Sequence, residues 1–218
     1  ESYQNFAKSI GQPVVYPRLK GLDEKFPFIN VIERKPDDKN LSFGSSWLHQ
    51  DTSYLADDRP RYTMLMGIEI PDGQGNTIFS SGFNAYKKLP NEIKDKIKDA
   101  TGIFSSAGPI SITRREREAE QGIKSSESME AEHPIVKTVN GKKTLYVSPG
   151  HLMKIKNVKD EDADYLKNYL TEHVNKQEFI FSYEWSKGDI CLWDNLSILH
   201  MASEIKNCKR IMHRITIK

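Results

Sequence analysis

Trp47-Leu48-His49-Gln50-Asp51-Thr52-Ser53-Tyr54 is the stretch on which the reading of this chain turns. His49 and Asp51 are two positions apart, so on an extended segment both side chains leave the same face. An imidazole nitrogen and a carboxylate oxygen side by side make most of a facial metal site, and a second histidine brought from elsewhere would complete it. Two histidines and one carboxylate, with the opposite positions open, are the ligand set of non-haem Fe(II) that activates oxygen. A surface His and Asp on a turn produce the same letters, so H-x-D alone is weak and its surroundings decide its meaning.

Upstream, Tyr3 to Lys8 reads as a helix end, and the prolines of Gly11 to Pro17 demand extended or turning backbone. Phe28 to Ile32 is a short apolar run suited to a buried strand, followed by a polar loop over Lys35 to Asn40. Downstream, Arg61 to Pro71 is a core strand stopped by Pro71-Asp72-Gly73, and Gly75 to Phe79 is another strand. Ser81 to Leu89 and Asn91 to Ala100 have helical spacing, with Pro90 opening the second helix. Residues 111–132 are polar and lack an apolar period, an exposed excursion that suits a lid or an ordinary surface loop. His133 to Thr138 and Lys143 to Val147 flank Asn140-Gly141, a hairpin signal. Asp160 to Lys176 is an amphipathic helix with acids in its first turn. Phe179 to Trp185, Asp189 to Trp193 and Ile211 to Ile217 are further strands. Many strands, few helices and hairpin signals predict one mainly β domain over residues 1–218, a sandwich or jelly roll with flanking helices.

Composition narrows the function. With 218 residues, 37% hydrophobic and 28% charged, the chain can bury one sizeable core. A net charge of +2, with basic residues scattered, gives no footprint for nucleic acid or an anionic membrane, and no apolar run reaches membrane-span length. Cys191 and Cys208 are the only cysteines, which excludes a C-x-x-C zinc knuckle and points to a reducing cytoplasm. The first residue is Glu1, within a helical pattern, so an N-terminal portion is expected to precede it. Whether the protein is a homo-oligomer is left open by the sequence.

His200, at the end of Asp194-Asn195-Leu196-Ser197-Ile198-Leu199-His200, directly follows an apolar strand and is the candidate third ligand. On the final strand, positions 210, 212 and 214 share a face, which puts Arg210 and Arg214 together opposite Ile211, Ile215 and Ile217. Two inward guanidiniums are costly unless anions meet them, and arginine grips a carboxylate with two parallel hydrogen bonds. A strand with its charges turned to solvent is the alternative.

In this order, His49-x-Asp51, His200 behind Trp193-Asp194-Asn195, and Arg210-Ile211-Met212-His213-Arg214 resemble the taurine/chlorophenoxyacetate dioxygenase family. These are Fe(II)- and 2-oxoglutarate-dependent oxygenases with a double-stranded β-helix (jelly-roll) fold. Gly75-Asn76-Thr77 is similar to the family's Gly-Asp-Thr, and Glu132-His133-Pro134-Ile135-Val136 to its His-Pro-Val-Val segment, so the resemblance runs from about Phe6 to the C-terminus. It implies His49, Asp51 and His200 as Fe(II) ligands, and Arg210 with Thr77 on the far carboxylate of 2-oxoglutarate. The reaction implied consumes O2, hydroxylates a small organic anion and releases succinate and CO2. Arg214 and Tyr16 match residues of the substrate pocket. Pro13 stands where the taurine enzymes carry a sulfonate-binding histidine, and His151 where they carry a phenylalanine, which argues against taurine itself. A jelly-roll binding protein without chemistry and a zinc hydrolase with the same ligands are the competing readings; the second leaves Arg210 and Thr77 without a role. Of the other histidines, His133 reads as structural, His173 as exposed near a helix C-terminus, and His213 as facing away from the site. Trp193 reads as core.

Overall fold

The last strand of the chain, β13 (Arg210–Ile217), organises the main sheet. One edge pairs antiparallel with β3 (Tyr62–Glu69), and beyond β3 lies β11 (Ile190–Asp194). Along the other edge, β1 (Pro13–Val14) and β2 (Asn30–Arg34) follow one another. A second sheet sets β4 (Thr77–Ser81) between β10 (Ile180–Tyr183) and β12 (Ile198–Ala202). A third sets β5 (Thr101–Ser105) between β6 (Glu130–Pro134) and β9 (Leu152–Lys156). A hairpin joins β7 (Val136–Val139) to β8 (Lys142–Leu145). Both of its turn residues, Asn140 and Gly141, have positive φ, the conformation that matches the twist of a two-residue hairpin. This computed structural model describes residues 1–15, 21–39, 44–111, 115 and 127–218.

The first two sheets face each other across Leu65, Trp185, Trp193 and Met212, with Ile32, Phe79, Tyr183 and Ile198 packed against them. The turn at Ser186–Gly188 carries the chain from β10 in one sheet to β11 in the other, fixed by Gly188 N–H donating to the Gly67 carbonyl at 2.8 Å. Such crossing between two antiparallel sheets is the jelly-roll arrangement the sequence predicts.

Helices cover the outside. On α1 (Ser2–Ile10), Tyr3 and Ala7 pack on Met64, Ile215 and Ile217 from the outer face of the main sheet. The short helices α2 (Gly82–Lys88) and α3 (Asn91–Ile97) and the longer α4 (Asp160–His173) close the larger core around Phe104, Leu145, Leu166 and Leu170. Among the described residues, no helix is long and apolar enough to cross a membrane.

Four strands are not foreseen by the sequence pattern: β5, β6, β9 and β12. The inward positions of β6 are Ala131 and His133, too small or too polar to register as an apolar period. In β5, Gly102 occupies a point where a Cβ would lie 2.8 Å from Leu152 Cδ1, so a residue that normally argues against a strand is required by packing. The β6 strand also takes up the end of the 111–132 excursion; residues 112–114 and 116–126, the body of the expected lid, lie outside the described residues. His173 corrects the expectation of exposure. It is buried, its Nε2–H donates to the Ala85 carbonyl at 2.9 Å, and its ring stacks on Tyr169.

Candidate metal centre

His49 and His200 are a directly opposed antiparallel pair. His49 N–H donates to the His200 carbonyl at 3.0 Å and His200 N–H donates back at 2.9 Å. Backbone bonding therefore sets the spacing of the two imidazoles before any side chain chooses a rotamer. Asp51 joins them: one donor atom from each of His49, Asp51 and His200 lies within 4.8 Å of the others, and all three residues are buried. His49 Nδ1 sits 3.0 Å from the Trp47 carbonyl, which can only accept, so that nitrogen carries the proton and Nε2 keeps its lone pair for a ligand. His200 Nε2 is 3.7 Å from Asp51 Oδ2, a separation that fits two donors around one ion. Burial pushes both imidazoles toward the neutral, ligating form, His200 down to about 3 with His49 adding to the effect. Neutral imidazoles and an ionised carboxylate suit a divalent cation, Fe(II) included.

A closed hydrogen-bond network orients Asp51. Thr63 Oγ1 donates to Asp51 Oδ2 at 2.6 Å. Asn195 Nδ2 donates to Thr63 Oγ1 at 2.8 Å, which occupies the hydroxyl as acceptor and leaves its proton for the carboxylate. Trp193 Nε1 in turn donates to Asn195 Oδ1 at 3.2 Å and fixes that amide. On the other oxygen, Arg214 Nη1 lies 3.4 Å from Asp51 Oδ1. Burial alone would raise the Asp51 carboxyl, but Arg214, then the two histidines and Thr63, outweigh it and hold the group well below the usual carboxylate range.

The cavity over this centre occupies about 440 Å³ including its open mouth, and His49, His200, Thr77, Trp193, Arg210 and Arg214 are among the residues that line it. Both arginines enter from the inward face of β13, as the alternation predicts. Among the described residues Arg210 has no ion-pair partner, its Nε and Nη2 are buried without a hydrogen-bond partner, and burial pushes it down to about 10. Gly75, at φ +79, makes room for it, since a Cβ there would lie 2.9 Å from Arg210 Cδ. Thr77 stands in the same cavity. Its Oγ1 accepts from Trp185 Nε1 at 2.9 Å, and because an indole only donates, the threonine proton is directed elsewhere.

Of the remaining candidates, Tyr16 lies outside the described residues. His151 is buried beside the centre with its ring edge-on to His49 at 5.8 Å, but its Nδ1 is engaged by Ser53 Oγ at 2.9 Å and Ser148 Oγ at 3.1 Å. Arg214, which the resemblance matches to a residue of the substrate pocket, lines the cavity and faces the Asp51 carboxylate. His133 braces the turn after Asp51, donating Nε2–H to the Ser53 and Leu55 carbonyls, each at 2.9 Å. Sequence reasoning gave no role to Thr63 or Trp185, and none to Asn195 beyond its place in Trp-Asp-Asn. No local pattern marks them, because each acts across strands distant in the chain.

Residues 1–216 match the family described as taurine catabolism dioxygenase TauD, TfdA family. An alkylsulfatase of Acinetobacter baylyi is 29% identical over 223 residues, spanning 98% of this chain and 68% of that protein. An alpha-ketoglutarate-dependent sulfate ester dioxygenase of Pseudomonas putida is 26% identical, spanning 100% and 72%. The crystal structure of a taurine dioxygenase from Burkholderia xenovorans shares the fold, with a TM-score of 0.78 at 24% identity over 99% of this chain and 70% of that one.

Proposed function

The chain belongs to the TauD, TfdA family of dioxygenases, and from that premise we propose that His49, Asp51 and His200 hold Fe(II) while Arg210 and Thr77 hold 2-oxoglutarate. The protein is a 2-oxoglutarate-dependent dioxygenase, and its substrate is a small organic anion. Bound Fe(II) supplies O2 activation, with 2-oxoglutarate as the two-electron donor. One oxygen atom replaces a substrate C–H by C–OH, the other enters succinate, and CO2 leaves.

This chain's residues supply position. Asp51, pinned by Thr63 through Asn195, offers its carboxylate in one orientation, and His49 offers Nε2 because Nδ1 is held by Trp47. Arg210 meets the distal carboxylate of 2-oxoglutarate with its free Nε and Nη2, and Thr77 adds its proton. Arg214 lines the same cavity and braces Asp51, and its guanidinium would attract the substrate's anionic group. Pro13, which by the resemblance stands where the taurine enzymes carry a sulfonate-binding histidine, offers no hydrogen-bond donor, which disfavours taurine.

The observation that carries this reading is the orphaned, buried Arg210 guanidinium in the same cavity as the three ligands. A zinc hydrolase or an inert binding fold leaves that buried charge unexplained. The test is anaerobic addition of Fe(II) and 2-oxoglutarate, watching for the weak visible charge-transfer band of the chelate. The wild type should develop it and His200→Ala should not. Absence of both the band and 2-oxoglutarate-dependent succinate from the wild type would refute the proposal, and zinc-supported ester hydrolysis would favour the hydrolase.

A further inference from the structure

A group of basic side chains lies against the turn that follows Asp51. His133 donates to the Ser53 and Leu55 carbonyls, and Arg59 donates Nη1–H to the Ala56 carbonyl of the same turn. The His133 and Tyr146 rings meet edge to face with centroids 5.4 Å apart, and Lys137 Nζ stands 4.4 Å from the centre of the Tyr146 ring. Side chains from the turn, from β6 and from β7 thus gather around one buried tyrosine. Neither Arg59 nor Lys137 is among the residues that line the cavity over the metal centre.

Among the described residues this group has no counter-charge. Arg59 and Lys137 are both half-buried, and Arg59 Nε is buried without a hydrogen-bond partner. Burial, then Arg59, pushes the Lys137 ammonium down to about 8, and the same two cations reinforce the effect of burial on His133, with no carboxylate opposing them. Asp58 is engaged by Lys218 and Glu132 by Lys156, while Asp57 is exposed. Two half-buried cations that repel each other are destabilising unless an anion meets them. An unsatisfied guanidinium N–H beside an ammonium is a donor set suited to an oxyanion, the first directional and the second a point charge.

We propose that Arg59 and Lys137 bind a small oxyanion, of the sulfate, phosphate or carboxylate type, at a site distinct from the metal-centre cavity. A bound anion would tie β7 to the turn of residues 53–56, which His133 and Arg59 already hold through its carbonyls. The site does not depend on the dioxygenase reading, because neither of its two cations is assigned to metal, 2-oxoglutarate or substrate.

The test reads Lys137 itself. The full chain is treated at pH 7 with limiting acetic anhydride, in sodium sulfate or in sodium chloride of equal ionic strength, and peptide mass spectrometry gives the acetylation rate of each lysine. Saturating sulfate should slow Lys137 about tenfold relative to chloride, because a neighbouring anion raises an amine's pKa by about a unit or more. The exposed Lys98 should show no such difference. Arg59→Met should raise the sulfate concentration needed to protect Lys137 about ten- to a hundredfold, the worth of a hydrogen bond to a charged group, and Arg59→Lys should raise it less. The melting temperature supplies a second measurement that needs no Arg59 variant: sulfate should stabilise the wild type more than Lys137→Met. Equal Lys137 rates in the two salts, equal protection of Lys137 and Lys98, or protection unchanged in Arg59→Met would each overturn the site. Equal sulfate stabilisation of the wild type and Lys137→Met would do the same, and would place any sulfate binding elsewhere on the protein.

Discussion

The network behind Asp51 closes on itself, whereas the one around Arg210 ends in unused donors. Thr63, Asn195 and Trp193 satisfy one another in a chain that terminates on the carboxylate, and Arg214 faces its second oxygen. A short distance along β13, Arg210 keeps two buried nitrogens without acceptors among the described residues, and Thr77, which accepts from Trp185, keeps its own proton to donate. The first region is finished by the protein and serves to hold a ligand set rigid. Under the proposed function the second is finished when the carboxylate of 2-oxoglutarate arrives, and among the described residues nothing compensates its buried cation.

The largest expected effect tests the open region. Arg210→Ala should raise the 2-oxoglutarate Kd by about two to four orders of magnitude, about 3–5 kcal/mol, while divalent-metal affinity measured by anaerobic titration stays nearly constant. Arg210→Lys should recover only part, because an ammonium cannot reproduce the fork. Arg210→Met should raise the melting temperature of the ligand-free protein, as removal of an orphaned charge relieves its desolvation. Equal loss of metal and 2-oxoglutarate affinity in Arg210→Ala would erase the distinction between the two regions.

A smaller effect tests the closed region through His133. Burial first, then the nearby Lys137 and Arg59 cations, pushes this imidazole down to about 4 from an ordinary value near 6.5. The unfolded chain thus takes up this proton before the folded one does. The stability contribution is complete above about pH 6.5 and is lost as pH falls toward 4, at no more than about 1.4 kcal/mol per pH unit. His133→Gln cannot titrate, so the wild type's advantage in urea midpoint at pH 7.5 should shrink toward pH 4. A constant gap across that range would show that His133 binds its proton equally in both states.

The smallest effect returns to the open region. Trp185→Phe removes the donor that occupies Thr77, freeing the hydroxyl to turn, and should weaken 2-oxoglutarate about fivefold, or ~1 kcal/mol. In a Thr77→Val background the same change should do nothing further. Additive losses would mean that Trp185 acts through packing alone.

The sequence marked the parts of this site that follow from periodicity. His49 and Asp51 share a face because they are two apart, and Arg210 and Arg214 share one because β13 alternates, so these could be read locally. The architecture was legible from strands whose buried residues are apolar, such as β3 and β13, and was lost where Ala131, His133 or Gly102 fill inward positions. Thr63, Asn195 and Trp185 were beyond reach for another reason. Each partners a residue from another part of the chain, and a threonine that orients a carboxylate looks the same in sequence as one that faces water. His173 misled because a helix C-terminus usually faces solvent, yet this one is packed against Ala85.

The reciprocal backbone bonds between His49 and His200 also carry a consequence for assembly. They close a loop that contains most of the chain, and contacts so far apart in sequence form late, after local turns and helices. The ligands therefore do not meet until both sheets are in place, and metal capture reports on completed topology. Register matters as much as closure, because a slip of β12 by one residue against β4 would turn His200 to the opposite face. Such a chain would keep most of its ladder hydrogen bonds and bind no iron, so a metal that binds only the correct pairing adds its binding free energy to that pairing alone.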